Sequence, residues 1–120
     1  MDTNTVCGAL NSAITSIFST TAKNKGNPLA RLCVVTPAPW QSCTPDGINE
    51  TSIMANKYVD AIIEICHLRG IPCLDLFHNS GLRPNEPTMY IESSGRTHLN
   101  EVGHQLIAPR YKAMLDTLIL

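Results

Sequence analysis

Arg31-Leu32-Cys33-Val34-Val35-Thr36-Pro37 and Ile71-Pro72-Cys73-Leu74-Asp75-Leu76-Phe77 are the two stretches that decide how this chain folds. Each is a short, nearly continuous apolar run, the pattern of a strand buried on both faces as in a parallel sheet. Pro72 is tolerated because it stands near the start of its run. Between the runs, Met54, Tyr58, Ala61, Ile62, Ile65 and Cys66 recur at helical spacing from about Glu50 to Arg69, and Gly70 stops that helix. Strand, helix, strand with so long a connection is the unit that joins two parallel strands. The right-handed crossover places its helix on one face of the sheet.

Upstream, Val6, Leu10, Ala13, Ile14, Ile17 and Phe18 mark an amphipathic helix from about Thr5 to Thr21, with Asn4 and Thr5 as cap candidates and Gly26 and Pro28 closing it. Between the first strand and the second helix lies a turn-rich loop of Pro37, Pro39, Pro45, Asp46, Gly47 and Asn49, which carries the only tryptophan, Trp40. A tryptophan set among prolines either anchors its loop or stacks on a ligand or partner. His78 to Thr97 reads as a long loop punctuated by Gly81, Pro84, Pro87, Ser93, Ser94 and Gly95, and so long an irregular stretch usually has a function. Asn100 caps a last helix to about Leu118, with Val102, Leu106, Ile107, Met114 and Leu118 facing inward and Pro109 kinking it. The expectation is one α/β domain over residues 1–120, a short parallel sheet flanked by helices in three layers.

Composition limits what this domain does. With 120 residues, 43% hydrophobic and 16% charged, it suits one globular domain and not a disordered chain. Nine Lys and Arg against ten Asp and Glu leave a net charge of -1 and no basic block, so a nucleic-acid partner is not expected. Nor is a membrane: apolar runs such as Ala61-Ile62-Ile63 fall far short of the roughly 20 residues a span needs. Met1-Asp2-Thr3-Asn4-Thr5 carries an acid and no Lys or Arg, unlike the opening of a signal peptide.

Five cysteines without a C-x-x-C pair suggest neither a disulfide framework nor a zinc ribbon. Cys33, Cys66 and Cys73 stand among apolar residues and serve as small hydrophobes, which implies a reducing, cytoplasmic setting. Neither strand is followed by a glycine-rich phosphate cradle, and no cofactor is expected.

The densest cluster of unusual residues is Gly95-Arg96-Thr97-His98-Leu99-Asn100-Glu101-Val102-Gly103-His104. His98 falls at a loop-to-helix junction, facing the carboxyl ends of the strands, where ligands of open α/β sheets bind. An imidazole there is able to take a proton from a hydroxyl. The plainer alternative is a histidine that only bonds loop backbone. His104 follows six residues on, within the helix, and metal ligands on one helical face stand three or four apart, so no metal site is expected.

Taken together, the Arg31–Pro37 strand ending in Thr-Pro, the helix, the Ile71–Phe77 strand and Thr97-His98-Leu99-Asn100 with Gly103-His104 resemble the C-terminal half of SGNH (GDSL-type) hydrolases. That family comprises esterases, lipases and carbohydrate deacetylases of flavodoxin-like α/β fold, and its last motif is Asp-x-x-His before a short helix. The resemblance runs from Asp2 to about Arg110. It implies a partial flavodoxin-like architecture, His98 as the catalytic general base, and Trp40 as a substrate-binding residue at the rim of a cleft for an ester or acylated substrate.

The departures from the family are as informative. The chain reads as the half that follows the third motif, with neither the Gly-Asp-Ser nucleophile nor the Gly-x-Asn-Asp donors. Three residues before His98, where an aspartate orients the ring, stands Gly95. A glycine cannot stabilise an imidazolium. Asp75 and Glu92 are the acids considered as substitutes for that aspartate, and Ser80 and Ser94 the improvised nucleophiles. The expected function is therefore an SGNH-derived binding or assembly module, an inhibitor or adaptor, without a complete triad. The alternative is a weak or partner-completed serine ester hydrolase with His98 as base, and a remnant without a role is the third. The Val34-Val35 strand lacks the neighbour the family gives it, so a second copy, as in a homodimer, or a protein partner is expected to cover that edge.

Overall fold

The computed structural model describes residues 3–21 and 25–118. Its two strands, β1 (Val34–Val35) and β2 (Cys73–Leu74), pair in parallel with Val34 opposite Cys73 and Val35 opposite Leu74. Four α-helices surround them: α1 (Thr3–Phe18), α2 (Glu50–Arg69), α3 (Leu76–Asn79) and α4 (Glu101–Leu118). Short 3-10 turns cover Pro87–Met89 and Glu92–Ser94. The molecule is thus mixed α/β and mostly helical.

Both strands are shorter than the apolar runs that contain them. The ladder extends one hydrogen bond each way, Val34 N donating to Pro72 O and Thr36 N to Leu74 O, both at 3.0 Å. Beyond Leu74 the backbone turns into α3 instead of continuing as strand to Phe77. Two side chains cause this: Asp75 Oδ1 accepts from His78 N at 3.0 Å, and Thr36 Oγ1 accepts from Phe77 N at 3.1 Å. With those amides satisfied, one helical turn buries both Leu76 and Phe77, which a single strand would send to opposite faces.

Caps explain where the long helices stop. Asn49 Oδ1 accepts from Ser52 N at 2.7 Å to open α2, and Gly70, at φ +66°, closes it in the left-handed region. At α4, Asn100 Oδ1 accepts from Gly103 N at 3.0 Å, and the helix continues through Pro109. Helix α1 begins at Thr3, so Asn4 and Thr5 lie inside its first turn and are not its caps. It ends at Phe18, where Asn27 N donates to Ile17 O at 2.7 Å and Gly26 N to Ser19 O at 2.7 Å.

The core is split between the two sheet faces. Val35 and Leu74 pack with Leu76, Leu82, Tyr90 and Ile107 of α4. Their strand neighbours Val34 and Cys73 face the other way by the alternation of a strand, and there the Cys73 thiol meets Cys66 of α2. A second cluster of Cys43, Val59 and Phe77, with Trp40 beside it, lies under α2. Helix α1 packs on α2, and Arg69 ties the pair by donating to Asn11 Oδ1 at 2.6 Å and Thr15 Oγ1 at 3.2 Å.

One face of α4 departs from expectation. Ile107 is buried, but Val102 and Leu106, expected to face inward, are 52% and 37% exposed, as are Tyr111 at 38% and Leu115 at 53%. The whole molecule is correspondingly open. Its accessible surface is 7554 Å², against about 6,400 Å² for a monomer of this mass. Its radius of gyration is 16.0 Å, against about 13.6 Å for a compact chain of this length.

Candidate functional site around His98 and Trp40

The segment from Tyr90 to Asn100 folds back on itself. Tyr90 bridges Leu99, Ile91 N donates to His98 O at 2.9 Å, and Asn100 N donates to Met89 O at 3.0 Å. At the tip, Gly95 (φ +65°) and Arg96 (φ +54°) are consecutive left-handed residues. An arginine there is strained, and its guanidinium is held on both sides. It pairs with Glu92 at 2.8 Å and donates to Pro84 O at 3.2 Å.

His98 is positioned by its backbone alone. Its N–H donates to Ser94 Oγ at 3.2 Å, while its exposed imidazole has no hydrogen bond or ion pair among the described residues. Each group weighed as its helper is engaged elsewhere. Glu92 is paired with Arg96, and Asp75 is turned to His78. Ser94 Oγ donates to Ile91 O at 2.7 Å, and the buried Ser80 accepts from Leu82 N at 3.1 Å. His104 sits exposed on α4.

A different histidine has the ordered surroundings. His78 Nδ1 lies 2.8 Å from Asp75 Oδ2, and Nε2 lies 2.9 Å from Asn56 Oδ1. Asn56 Nδ2 donates to Ser52 O at 2.8 Å, which fixes the amide so that its oxygen faces the ring. With both ring nitrogens engaged, His78 joins α2 to α3. Sequence reasoning passed over His78, although Asp75-Leu76-Phe77-His78 has the Asp-x-x-His spacing.

Trp40 is placed apart from His98. Trp40 N donates to Cys43 O at 3.1 Å and Cys43 N to Trp40 O at 2.8 Å, so the tryptophan is pinned in a tight loop. It borders a cavity of about 240 Å³ with Cys43, Met54, Tyr58 and Phe77, and His98 does not line it. Tyr58 Oη is the one buried side-chain polar atom without a hydrogen-bond partner among the described residues. Cys43 lies in the cavity wall, its thiol pushed up by burial and donating weakly to Thr51 O at 3.9 Å. It is a poor nucleophile.

Elsewhere, burial pushes the Cys73 thiol up to about 12, helped by neighbouring Cys66, and burial pushes Tyr90 up to about 12. The Tyr90 hydroxyl donates to Pro39 O at 2.6 Å. Among the described residues no group of three or more His, Cys, Asp and Glu is placed to hold a metal, and no helix is long and apolar enough to cross a membrane. No family model, no curated protein and no solved structure matches the chain.

Proposed function

We propose that this chain is a module derived from the SGNH hydrolases, with a partial flavodoxin-like architecture, that binds and assembles and does not hydrolyse esters by itself in its reducing, cytoplasmic setting. The observation that carries this reading is the isolation of His98. Its imidazole meets neither an acid nor a hydroxyl, while Asp75, Glu92, Ser80 and Ser94 are spent on other partners. Triad chemistry needs nucleophile, base and orienting acid in hydrogen-bonded sequence, and loss of one member costs several orders of magnitude in rate.

Assembly is supported by the edge of β1. Val34 and Thr36 donate toward β2, so the intervening Val35 amide faces away from it, toward an edge that pairs with no other strand among the described residues. A second copy is the occupant that suits this edge. Two β1 edges related by a two-fold axis pair antiparallel and close on themselves. The surface of each chain exceeds that of a compact monomer by about 1,200 Å², within the range a stable homodimer buries per subunit.

The competing reading is hydrolysis with His98 as base and a serine supplied by Ser94, Ser80 or a partner. The exposed, unengaged ring is the observation in its favour. Hydrolysis of p-nitrophenyl acetate and butyrate by the purified chain separates the two. Rates equal to buffer for both the parent and His98→Ala support the binding module, and turnover that His98→Ala abolishes overturns it.

A further inference from the structure

We infer that Cys66 and Cys73 are a preassembled site for an intramolecular disulfide, closed by a small uncharged oxidant such as hydrogen peroxide. Local structure brings the pair together. Helix α2 ends at Gly70, and Ile71 N donates back to Cys66 O at 2.8 Å, so the chain reverses on Cys66 itself. Two residues after Ile71, Cys73 enters β2 opposite Val34, and α2 packs directly on that strand. The two cysteine side chains share a hydrogen bond there. It favours charge on Cys66 and opposes charge on Cys73, so the Cys73 thiol is the donor.

Closure needs two sulfurs in contact and a path for the oxidant to one of them. Cys66 is buried, but Cys73 is only half-buried. A thiolate of the pair attacks the peroxide O–O bond, giving a sulfenic acid and hydroxide; the neighbouring sulfur then attacks the sulfenic sulfur and expels its oxygen as water. Two thiols and one peroxide become one disulfide and two waters. The rival partner is Cys33, also half-buried, which acts on Cys73 through charge alone. Burial holds both thiols of the pair protonated, Cys73 up to about 12, so closure is slow at neutral pH and quickens in alkali. In a reducing compartment the pair stays open until oxidant accumulates. Neither thiol lies on the open edge of β1, so this site and assembly through that edge stand or fall separately.

The test treats the folded full chain with hydrogen peroxide at about pH 9, alkylates the remaining thiols in denaturant and cuts the protein with trypsin. Cleavage after Arg69 puts Cys66 in peptide 58–69 and Cys73 in peptide 70–96, each with no other cysteine. The two peptides should leave as one linked species that dithiothreitol separates, whereas the same oxidation in urea should give several linkages among the five cysteines. Cys33→Ala should keep the linked species, and Cys66→Ala should remove it and leave Cys73 open to alkylation. The linked chain should unfold at a higher urea concentration than the reduced one, because the bond restricts the unfolded chain. The proposal is overturned if peptides 58–69 and 70–96 stay separate, if Cys73 links to Cys33 instead, if folded and unfolded chains give the same mixture, or if the linked chain unfolds at lower urea, the sign of a bond that strains the fold.

Discussion

Asp75 grips His78 twice, accepting from its backbone N–H through Oδ1 at 3.0 Å and meeting its ring Nδ1 through Oδ2 at 2.8 Å. The carboxylate thereby caps α3, fixes the imidazole against Asn56, and lies 3.4 Å from Thr36 Oγ1 at the end of β1. One side chain links both strands' carboxyl ends to two helices.

Asp75→Ala removes a helix cap and leaves its partners unpaired. It should cost about 2–3 kcal/mol, read as a drop in Tm of roughly 8–15 °C. His98→Ala, which removes an unbonded ring, should stay within about 0.5 kcal/mol. Thermal denaturation of both variants checks the pair, and equal losses would contradict the assignment of His78 as the structural histidine.

Gly103 and Gly8 should respond to alanine with opposite signs. Both lie in helices, where alanine is favoured over glycine by about 1 kcal/mol. A Cβ at Gly103 would lie 2.4 Å from Met89 O and 3.0 Å from Leu99 Cδ2, whereas one at Gly8 meets nothing within 4 Å. Gly8→Ala should stabilise by a few tenths to 1 kcal/mol, and Gly103→Ala should destabilise by about 2 kcal/mol or more as α4 is pushed from its loop. Urea unfolding midpoints distinguish the two.

Stability should fall on the alkaline side. Cys73 and Tyr90 each titrate near 12 when folded, from ordinary values of 9.0 and 10.0. Both are acids held protonated by burial, so the unfolded chain loses their protons first. The stabilisation is complete below about pH 9 and is lost as pH rises toward 12. Denaturant midpoints measured from pH 8 to 11 should decrease, and Cys73→Ala should flatten the first part of that decline.

Placing at position 95 the aspartate that the proposed SGNH derivation calls for should not produce hydrolysis. Gly95 stands at φ +65°, so Gly95→Asp carries backbone strain of roughly 1 kcal/mol, although the space around it is open. With no nucleophile bonded to His98, the variant should hydrolyse p-nitrophenyl esters no faster than the parent. A rate above that of the parent would show that only the acid was missing.

How much of this was legible in the sequence depends on the kind of signal. Asn49 with Gly70, and Asn100 at the start of α4, fix helix ends by local hydrogen bonds, and the sequence alone located them. Strand length was not legible. Leu76 and Phe77 extend an apolar run equally well as strand or as a buried helical turn, and only the capping by Asp75 and Thr36 decides between them. The inward face assigned to Val102 and Leu106 failed because helical periodicity shows that a face is apolar and not whether anything covers it. His98 was found by its motif, but its lack of partners depends on where distant side chains point. Cys43, Met54, Tyr58 and Phe77 have no common spacing, so the cavity they form had no sequence signal.

A second copy of the chain is the proposed cover for the open edge of β1. Light scattering coupled to size-exclusion chromatography at micromolar concentration measures this directly. A dimer, at twice the chain mass of 13.1 kDa, is the predicted result, and a species of 13.1 kDa that persists across the micromolar range would contradict it.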